Sequence, residues 1–142
     1  MINEVSIIIP AFNEESGIRQ VIAELQTLAE EYDIAAEIIV VDDGSADATA
    51  RVALATGVRV IQHRNNRGYG ASLKSGIEAA SYSIIAIIDA DGTYPARYLP
   101  EMLQKIEFAD MVVGARIRSE RAYSSCSPSG QMAAQASRQL CR

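Results

Sequence analysis

Five short β-branched runs, at residues 5–9, 37–41, 58–62, 84–88 and 111–113, alternate along the chain with segments of helical character at 15–32, 47–55, 71–81 and 96–107. Nothing else in the sequence constrains the fold as tightly. Runs such as Ile7-Ile8-Ile9 and Ile38-Ile39-Val40-Val41 are too continuously apolar for strands with one wet face, so they read as strands buried on both sides. The first helical segment sets Ile18, Val21, Ile22, Leu25, Leu28 and Ala29 along one side, the stripe of a helix laid on a core. Strands spaced by helices need crossover connections, which are right-handed in nearly all sheets. The expected fold class is therefore α/β, a three-layer α/β/α arrangement around a mostly parallel sheet. In such sheets ligands bind outside the carboxyl ends of the strands, so the residues just beyond each run carry the functional information.

Composition sets the remaining bounds. At 142 residues, 49% hydrophobic and 22% charged, the chain suits one soluble globular domain with a real core. Its net charge of -5 hides an asymmetry: residues 1–110 carry 8 Lys/Arg against 17 Asp/Glu, and residues 111–142 carry 5 against 1. An acidic body argues against a nucleic-acid partner, and the basic end reads as solvated, with anionic lipid as the alternative. No apolar run approaches the ~18–20 residues that span a bilayer, and Met1 leads into a strand pattern rather than a signal peptide. The expected location is cytoplasmic. Cys126 and Cys141 fit neither C-x-x-C nor a zinc spacing, so free thiols in a reducing compartment are expected. His63, the only histidine, stands where a strand yields to a polar loop and is expected at the surface rather than as a ligand or base. That removes most Ser–His and Cys–His hydrolase schemes.

At the first strand end, Pro10-Ala11-Phe12-Asn13-Glu14-Glu15 lacks the glycines that a dinucleotide site needs in its first turn. Pro10 stiffens the exit, Phe12 offers a flat face, and Glu14 is placed to accept hydrogen bonds from a base or to order the loop; Asn13 is also a candidate helix cap. At the second, Asp42 and Asp43 point to opposite faces, so one can turn into a cleft while the other ties the loop; Asp47 can cap the next helix. At the third, Gly68 and Gly70 precede a helix and make an anion-tolerant loop, with Lys74 one turn in. Leu73 stands where a P-loop needs glycine, which weakens an ATPase reading.

The fourth run ends on Asp89-Ala90-Asp91-Gly92-Thr93. Side chains at i and i+2 of an extended strand share a face, so the two carboxylates can converge on one point. Two chemistries want this: a clamp for a divalent cation carrying a nucleotide diphosphate, or a phosphoryl-accepting aspartate with an acid/base partner, as in the D-x-D-x-T opening of haloacid-dehalogenase-like phosphatases.

Taken in order and spacing, the segments IIIPAFNEE, VVDDGSADAT, NRGYGASLKSG, IDADGTYP and VVGAR resemble the nucleotide-sugar domain of family 2 glycosyltransferases with the Rossmann-like GT-A fold, most of all the dolichyl-phosphate mannose or glucose synthase branch. The resemblance covers about residues 4–118. It favours the metal clamp, because a phosphatase needs a further acidic pair downstream and none follows Pro95. The resemblance implies that Pro10, Phe12, Glu14, Val41 and Asp43 surround the base and ribose of the donor. Asp89, Ala90 and Asp91 would meet the metal, Mg²⁺ or Mn²⁺, and the diphosphate. Arg116 would lie near the phosphates. Thr93 replaces a glutamine of mannose synthases and would reach the metal directly or through water.

The implied reaction is inverting transfer of a hexose from a UDP- or GDP-sugar to a polyprenyl phosphate, with the enzyme meeting the membrane surface peripherally. A lipid phosphate is already an anionic nucleophile, so no strong general base is required. Residues 1–120 are expected to form the nucleotide-sugar-binding domain and 121–142 an irregular tail, because RAYSSCSPSGQMAAQASRQLCR has no sustained apolar period. A truncated gene or a frameshift after about Glu120, leaving a non-catalytic donor-binding fragment, is the second reading, and the phosphatase a remote third.

Overall fold

The structure is a computed structural model and describes residues 3–115. Four strands, β1 (Glu4–Ala11), β2 (Ala35–Asp42), β3 (Arg59–Gln62) and β4 (Ile85–Ile87), form one sheet in the order β3-β2-β1-β4, and every pairing is parallel. Between and after them come α1 (Ile18–Glu31), α2 (Thr49–Leu54), α3 (Tyr69–Ala79), a 3₁₀ turn at Ala96–Tyr98 and α4 (Leu99–Ile106). The chain divides into two compact units, one of which is Asn3–Arg97 and contains the whole sheet.

Within that unit the apolar runs do what their continuity predicts. Ile8, Ile39 and Val41 lie on one face of the sheet beneath α3, with Leu73, Ala79 and Ala80 packed against them. Ile7, Ile9, Ile38 and Val40 alternate with these and are also buried, facing the other side, where α1 presents Ile18, Val21, Ile22 and Leu25 and packs against α2. Each fully buried side chain of this kind contributes about 1.5–3 kcal/mol over its exposed state.

Hydrogen bonds at the amino end close that end of the sheet. Glu37 of β2 accepts from the Ser6 hydroxyl at 2.8 Å, from the Ser81 amide and hydroxyl at 2.8 and 3.0 Å, and from Arg59 Nη1 at 3.4 Å. Burial works to raise the Glu37 pKa, but these donors outweigh it and hold the carboxyl below its ordinary value.

The carboxyl end is built differently, and Pro10 shows how. Ala35 N donates to Asn3 O and Asp43 N to Ala11 O, so odd-numbered β1 residues bond β2; Ser6 N donates to Ile84 O and Ile88 N to Ile8 O, so even-numbered ones bond β4. Pro10 therefore lacks its donor on the β4 side, just past the last β1–β4 rung. From there β1 runs on beside β2 while β4 leaves the ladder. The chain order β1, β2, β3 grows the sheet in one direction and β4 joins on the other, so this parting is the topological switch point at which open α/β sheets bind ligands.

Several expected boundaries move. Helix α1 begins at Ile18 rather than Glu15 because residues 13–15 are drawn into bonds with the next loop, and Asn13, in the left-handed region at φ 56°, accepts from Ala46 N instead of capping the helix. Helix α3 begins two residues early, at Tyr69, behind Gly68 at φ 94°. Residues 111–113, expected as a strand, pair in no ladder among the described residues, and Met111 and Val113 are both 59% exposed; β-branched composition makes a strand only where a partner supplies the hydrogen bonds. In the second unit, α4 buries Leu99, Pro100 and Leu103 and carries a Glu101–Lys105 pair at 2.8 Å. Arg116, Cys126, Cys141 and the expected tail lie outside the described residues.

Candidate functional site

Four loops meet the carboxyl ends of the strands, and the first two are interlocked. Asn13 N donates to Ser45 Oγ at 2.9 Å, Ala46 N returns a bond to Asn13 Oδ1 at 2.9 Å, and Glu14 N donates to Thr49 Oγ1 at 2.8 Å. Glu15 N donates to Asp47 Oδ2 at 3.2 Å, while Glu15 Oε2 accepts from Ala48 N at 2.8 Å. Asp47 also accepts from Thr49 N at 2.9 Å, but it is not the expected cap: α2 is capped at Ala48, with no side-chain cap bond, and Asp47 stands one residue ahead of it. Backbone donors that a helix terminus would otherwise leave unsatisfied are thus answered across loops. The result is a cross-bonded rim beside Phe12, which is 47% exposed.

Asp43 binds the second loop to the third. Its Oδ1 accepts from His63 Nδ1 at 2.6 Å and from Arg67 N at 2.9 Å, and its Oδ2 accepts from Gly68 N at 2.7 Å. On the far side of the imidazole, Nε2 lies 2.9 Å from Ser75 Oγ in α3. The side chains of Asp43 and His63 are each 5% exposed. Burial tends to raise the Asp43 pKa; the His63 bond, the two backbone donors and the histidine charge overcome this and lower it. Asp42, on the opposite face as alternation requires, accepts from Ser45 N at 3.3 Å. His63 is therefore not a surface residue. The polar loop that follows it hid its burial, because the partners that enclose it are 20 and 12 residues away.

Beyond β4, the D-x-D turn rests on the start of α1. A Cβ on Gly17 would lie 3.0 Å from Ala90 O, and Gly92 turns the chain at φ 72°. Ala90 is buried between the two carboxylates, Asp89 is half-buried and Asp91 exposed. Thr93 folds back on Asp91, donating from its amide at 2.9 Å and from its hydroxyl at 2.7 Å to Oδ1. Tyr69, the first residue of α3, stands close enough to Asp89 that its phenol is pushed above the ordinary tyrosine value, first by partial burial and then by the charges of Asp89 and Tyr94.

The residues singled out from the sequence fall into two groups. Pro10, Phe12, Asp89, Ala90, Asp91 and Thr93 flank the switch point at the ends of β1 and β4. Glu14 stands in the rim through its backbone, Val41 commits its side chain to the core under α3, and Asp43 lies beneath the third loop. Arg116 is outside the described residues. His63 and Ser75 are additions that only the structure supplies. For a cation the fit is chemical: the D-x-D turn offers hard oxygen donors, and no three His, Cys, Asp or Glu side chains among the described residues gather to hold a metal alone, so ligand oxygens and water would complete the shell.

Comparison with known proteins gives consistent answers. The family model described as glycosyl transferase family 2 matches residues 6–140. A dolichyl-phosphate hexose transferase of Haloferax volcanii is 34% identical over 116 residues, 81% of this chain and 49% of that protein. A dodecaprenyl-phosphate galacturonate synthase of Rhizobium johnstonii is 32% identical over 123 residues, 80% of this chain and 36% of that protein. Among solved structures, glucosyl-3-phosphoglycerate synthase from Mycobacterium tuberculosis in complex with Mn²⁺, uridine diphosphate and phosphoglyceric acid superposes with a TM-score of 0.67 at 27% identity, covering 86% of this chain and 46% of that one. The chain spans about half the length of the curated relatives it matches, or less.

Proposed function

Because the chain belongs to glycosyl transferase family 2 and has its α/β fold, we propose that it is the nucleotide-sugar half of an inverting hexosyltransferase that uses a UDP- or GDP-sugar and passes the hexose to a polyprenyl phosphate. The observation that carries this reading is the D-x-D turn at the carboxyl end of β4, across the switch point from Pro10 and Phe12. The relatives' names support the acceptor class, and the Mn²⁺ and uridine diphosphate of the neighbouring structure support the donor class. The family assignment supports the metal clamp over the phosphatase reading of Asp89.

In this reading the base stacks on Phe12 beside the first loop, and Asp43, through the edge of its largely buried carboxylate, receives a base or ribose donor. Asp89 and Asp91 would hold Mg²⁺ or Mn²⁺, with Thr93 steadying Asp91 through its two bonds. When bound, the cation would supply positive charge against the negative charge of the departing nucleoside diphosphate, and Arg116 would add to it. The lipid phosphate attacks the anomeric carbon from the side opposite the diphosphate, and the sugar inverts. No helix among the described residues is long and apolar enough to cross a membrane. A polyprenyl phosphate, the acceptor class in the relatives' names, would be met at the membrane surface.

A second reading keeps the donor site without transfer. Titration of UDP and GDP with Mn²⁺, followed by assays of donor hydrolysis and of transfer to a short-chain polyprenyl phosphate, tests both. Metal-dependent binding with transfer supports the first; binding without transfer supports the second; no metal-dependent binding overturns both. Asp91→Asn is expected to abolish the metal dependence and leave the fold intact.

A further inference from the structure

The Asp43–His63–Ser75 chain has the contacts of a hydrolytic triad without the setting for one. Ser75 lies inside α3, where backbone N–H groups are committed to carbonyls one turn back and none is left to stabilise an oxyanion. The chain must act on something else, and Asp43 shows what. Its two oxygens collect the amides of Arg67 and Gly68, the residues that lead into α3 at Tyr69.

We infer that His63 is a positioning residue: by bonding Asp43 on one side and Ser75 on the other, it sets both the carboxylate and the Arg67–Gly68 bend that brings α3 to the carboxyl edge beside the D-x-D turn. This rests on the donor-site reading for its functional consequence but not for its geometry. An ionised Asp43 only accepts, so Nδ1 carries a proton; in the neutral ring Nε2 then accepts from the Ser75 hydroxyl, and in the charged ring it donates to it. Both ring nitrogens are bonded either way. Gly68, at φ 94°, has no Cβ that could pack to hold the bend, and open space surrounds the place where one would be. The amide bonds to Asp43 hold it instead, and their acceptor needs a buttress.

Substitutions separate the two sides of the ring. Asparagine places its amide nitrogen where histidine has Nδ1, so His63→Asn retains a donor for Asp43; glutamine reaches toward Ser75 and leaves Asp43 without that donor. Hydrogen exchange at the Arg67 and Gly68 amides, with β1 and β2 amides as internal reference, is expected to rise about tenfold or more in His63→Gln, the scale of losing a hydrogen bond to a charged group, and to change little in His63→Asn. UDP or GDP affinity in the presence of Mn²⁺ is expected to follow the same order. Equal effects of the two substitutions, or none, overturn the assignment. Exchange decides the question even if neither nucleotide binds, so failure of the donor-site reading remains distinguishable. In the unsubstituted protein the lone imidazole gives an unambiguous ring-nitrogen signal: protonated Nδ1 is expected, and a proton on Nε2 alone would overturn the inference without any variant.

Discussion

Gly76 stands within α3, where helix propensity alone favours alanine by about 1 kcal/mol. A Cβ there would lie 2.5 Å from Ile8 Cγ2, inside the core. Overpacking of this kind costs about 1–3 kcal/mol, so Gly76→Ala is expected to lower the urea midpoint with an unchanged slope; a midpoint at or above that of the unsubstituted protein would show that Ile8 moves aside at no cost. Thr93 illustrates the functional counterpart. Its hydroxyl and amide both bond Asp91 Oδ1, and partners that orient a metal ligand are worth about 10–100-fold in metal affinity. Thr93→Val keeps the shape and the amide but removes the hydroxyl; Mn²⁺ binding followed by electron paramagnetic resonance is expected to weaken toward that range while nucleotide affinity measured without metal stays constant.

At the level of elements, the first and second loops behave as one piece because each donates backbone amides to the other's side chains. Asn13 is the hinge of that exchange, held at φ 56° with its side chain on Ala46 N. Asn13→Ala loses the bond and carries a left-handed penalty of about 1–2 kcal/mol, whereas Asn13→Gly loses only the bond. Alanine is therefore expected to destabilise more than glycine by about that penalty, with faster exchange at Ala46 in both. Equal stability of the two variants would mean that the rim relaxes out of the left-handed conformation. Helix α3 joins the same system from the other side, through Ser75, His63 and Asp43, so three connections at the carboxyl end are tied while the fourth rests on Gly17.

Across the molecule, two carboxylates with lowered pKa values link the ends of the sheet to acid stability. Glu37 and Asp43 each bind a proton less readily folded than unfolded. The stability they contribute is complete above their unfolded values, near pH 4, and is lost as pH falls through the folded ones. The urea midpoint is expected to hold from pH 7 to about pH 5 and to fall below about pH 4, with a shallower fall in Glu37→Gln. An identical pH profile in that variant would assign the acid sensitivity elsewhere. Nucleotide binding at pH 7 should be untouched by Glu37→Gln, since Glu37 lies at the amino end of the sheet, opposite the candidate site.

The alternation of apolar runs and helices, the parallel sheet it implies and the position of the D-x-D at a strand end were legible without coordinates, because period and composition are local properties and strand side chains alternate by stereochemistry. Asp42 and Asp43 pointing apart is of the same kind. What the linear chain left open is which strands become neighbours: β4 beside β1 rather than β3 makes the switch point, and residues 111–113 have the composition of a strand and no ladder. His63 shows the limit most sharply. Its neighbours in sequence are polar, and it is buried only because Asp43 and Ser75 arrive from β2 and α3 to satisfy both ring nitrogens. Burial of a polar group depends on partners that only the assembled sheet brings within bonding distance.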